Sequence, residues 1–153
     1  MARKTLKKIQ VQAMSSLLDS YVDLKLSPAF AFAVVKNRAA LIPEVAKLRE
    51  IVKPFGDYDS ERVALCEEYA EKDESGKPVL KDNTYKGVEG NPEFLEKVKA
   101  LEEGYQERFK EANQALREQT VEVELVEIPL GELPNGITPT VLEILMPMIR
   151  VPA

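Results

Sequence analysis

The feature that most constrains the fold is an apolar stripe at helical spacing in residues 92–118. Its members recur every three or four residues with charged side chains between them: Phe94, Val98, Leu101, Tyr105, Phe109, Ala112 and Leu116. This period predicts one amphipathic helix about 40 Å long. Because such a helix cannot bury its stripe alone, we expect the apolar run over 28–71 to fold back against it as an antiparallel helical hairpin.

Three dipeptides mark helix starts. Ser27-Pro28, Asn91-Pro92 and Thr138-Pro139 each join a side chain that can cap free backbone N–H groups to a proline that suits the first helical turn. They predict helices that begin near residues 28, 92 and 139. The last of these is short and apolar.

The helical run after Ser27 contains further prolines. Pro43 loses one backbone hydrogen bond and should kink or divide the helix, and the segment 53–56, which holds Pro54, should interrupt it more firmly. Asp59 or Ser60 could then cap a further helix that ends near Glu71.

Two regions have β character. Residues 72–90 are polar and contain two short β-like pieces, 78–80 and 83–86, so we expect a small exposed hairpin at the tip of the helical hairpin. Residues 120–128 alternate apolar and polar side chains, but the alternation changes parity at Val126. That change predicts a bulge or a sheet edge near Leu125.

These patterns predict an α+β fold that is mainly helical. We expect a single domain over 1–153, by chain length. Within it lie an N-terminal helix over 1–20, the helical hairpin over 28–118 with its polar β tip at 72–90, and a C-terminal strand with a short helix over 120–150.

The composition argues against several function classes. The chain has no histidine and a single cysteine, Cys66, so nucleophilic systems that need histidine and histidine-based zinc sites are excluded. A net charge of −5 disfavours nucleic-acid binding, and no apolar run is long enough to span a membrane. We therefore expect a cytosolic protein that is not an enzyme and that uses no metal and no cofactor.

Carboxylates leave one catalytic alternative open. The acids between Asp57 and Glu74 could serve a metal-dependent hydrolase. They approximate a calcium-loop pattern, but Arg62 stands where that loop needs glycine, and the surrounding residues are predicted to be helical. We interpret them as a capping segment and a solvated helix end.

The order of several short motifs resembles a family of small bacteriophage proteins of unassigned function, over about residues 24–149. The resemblance rests on the sequence and spacing of four segments: Leu26-Ser27-Pro28, the stretch from Glu71 to Leu80, Val121-Glu122-Val123-Glu124, and the helix from Thr138 to Pro147. It implies a phage-encoded protein in the host cytoplasm and supplies no catalytic residues. The resemblance implies a role in countering host defence or in host takeover, which are common among small phage proteins of this kind, or occasionally in assembly.

The leading hypothesis is a non-catalytic binding protein that sequesters a nucleotide immune signal or grips a host defence protein, and that forms a homo-oligomer. A nucleotide would need cationic and aromatic groups near the hairpin tip, and the candidates are Tyr58, Arg62, Tyr69, Lys77, Tyr85 and Lys86. One alternative is a phage assembly or minor structural protein, whose strand at 121–128 could pair with another chain. The other is the hydrolase described above.

Overall fold

Four α-helices and three two-stranded ladders form the part of the chain that the computed structural model describes, residues 1–151. The fold is α+β with helices dominant, as predicted. The elements, in chain order, are β1 (Ala2–Lys7), α1 (Lys8–Ser20), α2 (Pro28–Tyr69), β2 (Leu80–Lys81), β3 (Thr84–Tyr85), α3 (Pro92–Glu118), β4 (Thr120–Leu125), β5 (Ile128–Pro129), α4 (Pro139–Leu145) and β6 (Ile149–Arg150).

The chain divides into two compact units. The first unit comprises Met1–Ile51 and the chain from Gln114 onward, and the second comprises Val52–Asn113. Helices α2 and α3 each contribute residues to both units. The prediction of a single domain stays a prediction.

The predicted N-terminal helix over 1–20 is wrong for its first seven residues. Residues 2–7 form strand β1, which pairs antiparallel with β4 so that Ala2 lies opposite Leu125 and Leu6 lies opposite Val121. Leu6 is buried at 2% exposure, and Lys7 begins the turn into α1, where its N–H donates to Gln10 Oε1 at 2.8 Å. Tertiary pairing with β4 thus overrides the helical spacing of this segment.

The core of the first unit contains apolar side chains from β1, α1, the first part of α2, β4 and α4. Its fully buried members, each less than 2% exposed, include Val11, Met14, Leu18, Phe30, Leu41, Leu125, Leu145 and Met148. Tyr21 packs edge-on against Phe30 with ring centroids 5.3 Å apart. Burial of such side chains is the main stabilising contribution to a unit of this size.

A buried amide ends strand β4 at the position where the sequence pattern changes parity. The side chain of Asn37, 0% exposed, accepts a hydrogen bond from Val126 N at 2.7 Å and donates one to Val126 O at 3.0 Å. Asn37 therefore satisfies both backbone groups of the residue that leaves the ladder. After this break Ile128 continues as β5, which pairs in parallel with β6.

The three predicted helix starts are confirmed. Ser27 Oγ accepts from Phe30 N at 3.2 Å, and Thr138 Oγ1 accepts from Val141 N at 3.3 Å. Asn91 Oδ1 accepts from both Glu93 N and Phe94 N, at 3.1 and 3.2 Å. Each side chain satisfies a donor that the first helical turn leaves free.

The helical run after Ser27 is not divided, so the predicted division at Pro43 and the interruption at 53–56 are wrong, and the kink at Pro43 stays a prediction. Helix α2 is a single element of 42 residues that passes through Pro43 and Pro54 and ends at Tyr69, so Asp59 and Ser60 cap no separate helix. Leu41 and Leu48 are buried on either side of Pro43, which holds both flanking turns in place. A proline removes one backbone hydrogen bond, and packing on both sides can offset that loss.

In the second unit α2 and α3 pack antiparallel. The ring pairs Phe55–Phe109, Tyr58–Tyr105 and Tyr69–Phe94 have centroids 5.1, 5.7 and 6.1 Å apart. Residue numbers rise along one helix as they fall along the other, as the predicted hairpin requires.

Strands β2 and β3 form the predicted small β-hairpin beyond these helix ends, with a turn at Asp82 and Asn83, whose φ angles are +52° and +62°. Positive φ at both turn residues is typical of a type I′ hairpin turn.

Candidate functional site

The second unit contains a groove where α2, the β-hairpin and the start of α3 meet. We call it the hairpin-tip groove. Its volume is about 500 Å³, within the usual range for small-molecule sites. It is lined by Asp59, Arg62, Val63, Cys66, Asn83, Thr84, Tyr85, Val88 and Phe94.

The floor of the groove is the small core of the second unit. Val88 and Phe94 are buried together with Ala70 and Val98, and Cys66 and Tyr85 pack against this cluster while partly exposed. A rigid apolar floor with polar groups above it is the usual arrangement of a site for a small organic ligand.

Backbone hydrogen bonds fix the β-hairpin to the end of α2. Glu71 N donates to Lys86 O and Val79 N donates to Glu71 O, both at 2.8 Å. Gly87 passes so close to this point that a Cβ there would lie 2.8 Å from Glu71 Cγ. Its φ of +91° also requires glycine. These contacts hold Tyr85 at a defined place beside the last turns of α2.

A second set of bonds shapes the loop that leads into the hairpin. Asp73 Oδ1 accepts from Ser75 N and from Lys77 N, both at 2.9 Å. The backbone of this loop is thereby folded into a tight turn before β2. Lys77 contributes its backbone to that turn, and the structure does not bring it into the groove.

The structure brings two of the six predicted site residues together, Arg62 and Tyr85, on the wall of the groove. Lys86 instead pairs with Glu71 at 3.5 Å. Tyr69 donates its hydroxyl to Glu93 at 3.0 Å, with Lys97 Nζ 5.2 Å from its ring centroid. These groups are engaged outside the groove.

Tyr58 is a packing residue. Its ring meets those of Tyr105 and Phe109, and its hydroxyl donates to Glu102 Oε1 at 3.1 Å. Burial, followed by this hydrogen bond, raises the pKa of the Tyr58 phenol above its ordinary value. The phenol therefore stays neutral across the physiological range.

Arg62 is the groove's free cation. It is exposed on α2, and within residues 1–151 its guanidinium makes no ion pair or side-chain hydrogen bond. A guanidinium offers several N–H donors in a fixed plane and stays charged at all relevant pH values. It is the group in this groove that can bind an anionic oxygen.

Tyr85 supplies the aromatic surface. Its ring is half-buried, and its hydroxyl donates to Glu67 Oε1 at 3.3 Å. Burial, together with the nearby Glu67 carboxylate, raises the pKa of the Tyr85 phenol. The hydroxyl thus remains a donor at neutral pH.

Sequence reasoning missed most of the polar and apolar lining. Asn83 and Thr84 were predicted only as part of the β-hairpin, Asp59 as a helix cap, and Phe94 only as a member of the apolar stripe over 92–118. The turn chemistry at Asn83 was a usable signal, because a hairpin turn next to a helix end places its side chains at that end.

Comparisons of the chain with protein-family models, with curated proteins and with solved structures found no match.

Three of the carboxylates between Asp57 and Glu74 have structural partners. Glu67 accepts from Tyr85, Glu71 pairs with Lys86, and Asp73 organises its loop. Within residues 1–151, no group of three or more Asp, Glu, Cys or His side chains is placed to hold a metal ion.

No helix of the described chain has the length and apolar character to cross a membrane.

The first unit has a groove of different character. It lies between the connector 21–26 and α2, with a volume of about 480 Å³, and we call it the connector groove. Its walls are almost entirely apolar. The cation that lines it, Arg38, is already paired with Asp19 through a hydrogen bond from its Nε. None of the predicted site residues lies there.

Proposed function

We propose that this protein is a non-catalytic binding protein that sequesters a small nucleotide in the hairpin-tip groove. The observation that carries the proposal is that Arg62 and Tyr85 line the same groove as Asn83 and Thr84. A cation, an aromatic face and neutral hydrogen-bonding groups are the chemistries that a nucleotide requires of its site.

The phosphate is assigned to Arg62. Its guanidinium has no competing carboxylate partner among the described residues, so binding an anion there breaks no ion pair. A charge-assisted hydrogen bond to phosphate contributes about 1.5–3 kcal/mol.

The base and the sugar are assigned to the other polar and aromatic residues of the groove. Tyr85 offers a ring against which a base can stack, and Asn83 and Thr84 offer amide and hydroxyl groups for its edge. Asp59 can accept hydrogen bonds from ribose hydroxyls, a role that carboxylates fill in other nucleotide sites.

The biological setting of the proposal comes from the resemblance to small bacteriophage proteins over about residues 24–149. A phage protein that holds a nucleotide without turning it over acts stoichiometrically, by lowering the free concentration of a host immune signal. Each chain carries its own groove, so nucleotide binding does not depend on the homo-oligomer that the sequence predicts.

Strand β4 bears on the assembly alternative. The sequence pattern suggested that residues 121–128 could pair with another chain, and in the structure residues 120–125 pair with β1 of the same chain. The β1–β4 sheet has two strands, so the second edge of β4 has no strand partner within residues 1–151 and its pairing with another chain stays a prediction.

The proposal is tested by isothermal titration of the purified protein with a panel of linear and cyclic mono-, di- and trinucleotides. We expect one class to bind, and Arg62→Ala to weaken that binding about 10- to 100-fold, since it removes the phosphate contact. Tyr85→Ala should weaken it about 5- to 100-fold, whereas Tyr85→Phe should retain most of it because the stacking face remains.

Arg49→Ala is the matched control. Arg49 is an exposed arginine on α2 that does not line the groove, and its removal changes the net charge by the same amount. Equal losses in Arg62→Ala and Arg49→Ala would show a non-specific charge effect, and no binding by any nucleotide would refute the proposal.

A further inference from the structure

The first half of α2 carries a second apolar stripe on its exposed face. Its members follow a spacing of three, four, three and four residues: Phe32, Val35, Ala39, Ile42 and Ala46. All five are exposed, and the three large ones retain 55%, 66% and 57% of their surface. The opposite face is buried through Phe30, Val34, Asn37, Leu41 and Leu48. In this part of α2 two faces are therefore apolar, and only one of them is covered by the first unit's core.

The spacing of the exposed stripe is that of a coiled-coil seam. Apolar residues that alternate steps of three and four have an average period of 3.5, which keeps one seam facing a partner helix. Alanines at positions 39 and 46 leave room for the partner backbone to approach closely. The seam extends about 21 Å from residue 32 to residue 46.

Two heptads alone form a weak contact, and the connector groove adds to it. Val22 and Leu24 are 48% and 57% exposed, and they line this groove together with Val35, Ala39 and Ile42. Phe32 lies on the same helical stripe, outside the groove, with Lys36 Nζ 5.7 Å from its ring centroid. One face thus presents both an exposed aromatic side chain and an apolar depression, the complementary features of a self-associating surface.

The exposed area matches what a small dimer needs. A half-exposed large apolar side chain leaves on the order of 100 Å² in water, so Val22, Leu24, Phe32, Val35 and Ile42 expose roughly 500 Å² together. That is near the upper end of the largest patch on an ordinary monomer. A symmetric contact that buries the whole patch on both copies covers roughly 1,000 Å², the lower bound for a biological interface.

The charges around the patch also fit a second copy. The rim holds both signs: Lys36 lies on one flank of the stripe, and Arg38, paired with Asp19, lies on the other flank beside the connector, which contains Asp23. A partner whose surface carries only one sign of charge would be repelled by part of this rim. In a two-fold dimer each copy presents both signs of charge at the interface, so opposite charges can face each other.

We propose that the stripe over residues 32–46 and the connector groove form the two-fold interface of a homodimer. The proposal does not rest on nucleotide binding, because the patch lies in the first unit and shares no residue with the hairpin-tip groove. The two proposals can therefore fail separately.

Sedimentation equilibrium of the full chain tests it. We expect the wild-type protein to be a dimer at about 100 µM, and the double substitution Val35→Glu with Ile42→Glu to raise the dissociation constant at least about 100-fold. Both side chains are more than half exposed, so the substitutions should leave the monomer folded, which circular dichroism checks. Leu95→Glu, at a 53% exposed leucine on α3, is the control and should leave the dimer intact.

A cross-link locates the seam. In a Cys66→Ser background, Ala39→Cys sits in the middle of the stripe and should form a disulfide-linked dimer under mild oxidation, whereas Asn113→Cys on the exposed surface of α3 should not. A wild-type monomer at all concentrations would overturn the proposal and leave the patch to a different protein. A dimer that survives the double substitution, or that also dissociates with Leu95→Glu, would equally overturn it.

Discussion

Asn37 is the buried polar residue on which the first unit depends most directly. Its amide replaces the ladder partner of Val126 and so lets the chain turn from β4 toward β5 without leaving a backbone N–H or C=O unsatisfied. A helix residue 89 positions away in sequence thereby fixes where a strand ends.

We predict that Asn37→Ala lowers the free energy of unfolding by about 2–4 kcal/mol. The substitution leaves the Val126 N–H and C=O without their partners and opens a small cavity beside Met148. The thermal midpoint, measured by circular dichroism, should fall by roughly 5–12 °C. Asn113→Ala, at an exposed position on α3, is the control and should change it little. Equal midpoints for wild type and Asn37→Ala would show that the hydrogen bonds do not hold the strand end.

For the candidate site, the sequence predicts the chemistry of single residues but not which residues surround them in the fold. Arg62 and Tyr85 were predicted from their chemistry near the hairpin tip, and both line the groove. Tyr58 and Tyr69 share that chemistry, but their surroundings depend on which α3 residues lie opposite them. How two packed helices are rotated relative to each other depends on the side chains of both, so the sequence of one helix does not determine it.

At the scale of elements, the strongest local signals were the most reliable. The α3 stripe and the three capping dipeptides produced helices that start where expected, because a cap and a 3.6-residue period act within a few residues. The β1 strand was mistaken for helix, since its state is decided by β4, more than a hundred residues away.

The continuity of α2 leads to a prediction about Pro43. This proline is exposed in the helix interior, where it removes one backbone hydrogen bond and crowds the preceding turn. We predict that Pro43→Ala raises the free energy of unfolding by about 1–2 kcal/mol, as the gain in the helix exceeds the entropy that the unfolded chain recovers. Urea titration measures the change.

Pro28→Ala is the matched control for this experiment. Pro28 occupies the first position of α2 after the Ser27 cap, where a proline costs the helix no hydrogen bond. Its replacement should leave stability unchanged or slightly reduced. If Pro43→Ala were no more stable than wild type, the helix would already accommodate the proline without loss.

At the scale of the whole molecule, the two units present different surfaces. The second unit offers a groove of mixed polarity with a free cation, and the first offers an exposed apolar face with a coiled-coil spacing. The sequence predicted a binding protein that forms a homo-oligomer, and it predicted that the stripe over 92–118 packs against the helical run over 28–71. In the structure the α3 stripe of the second unit packs against α2 of the same chain, and the exposed stripe lies on α2 itself.

Nucleotide sequestration is tested most directly by native mass spectrometry of the protein purified from bacteria in which a nucleotide-signalling defence is active. We predict a particle that carries a small-molecule mass, which is released on heating, absorbs at 260 nm, and is absent from Arg62→Ala prepared in the same way. The Arg49→Ala control should retain it. A particle of bare polypeptide mass, or one heavier by a host polypeptide, would contradict nucleotide sequestration in the hairpin-tip groove.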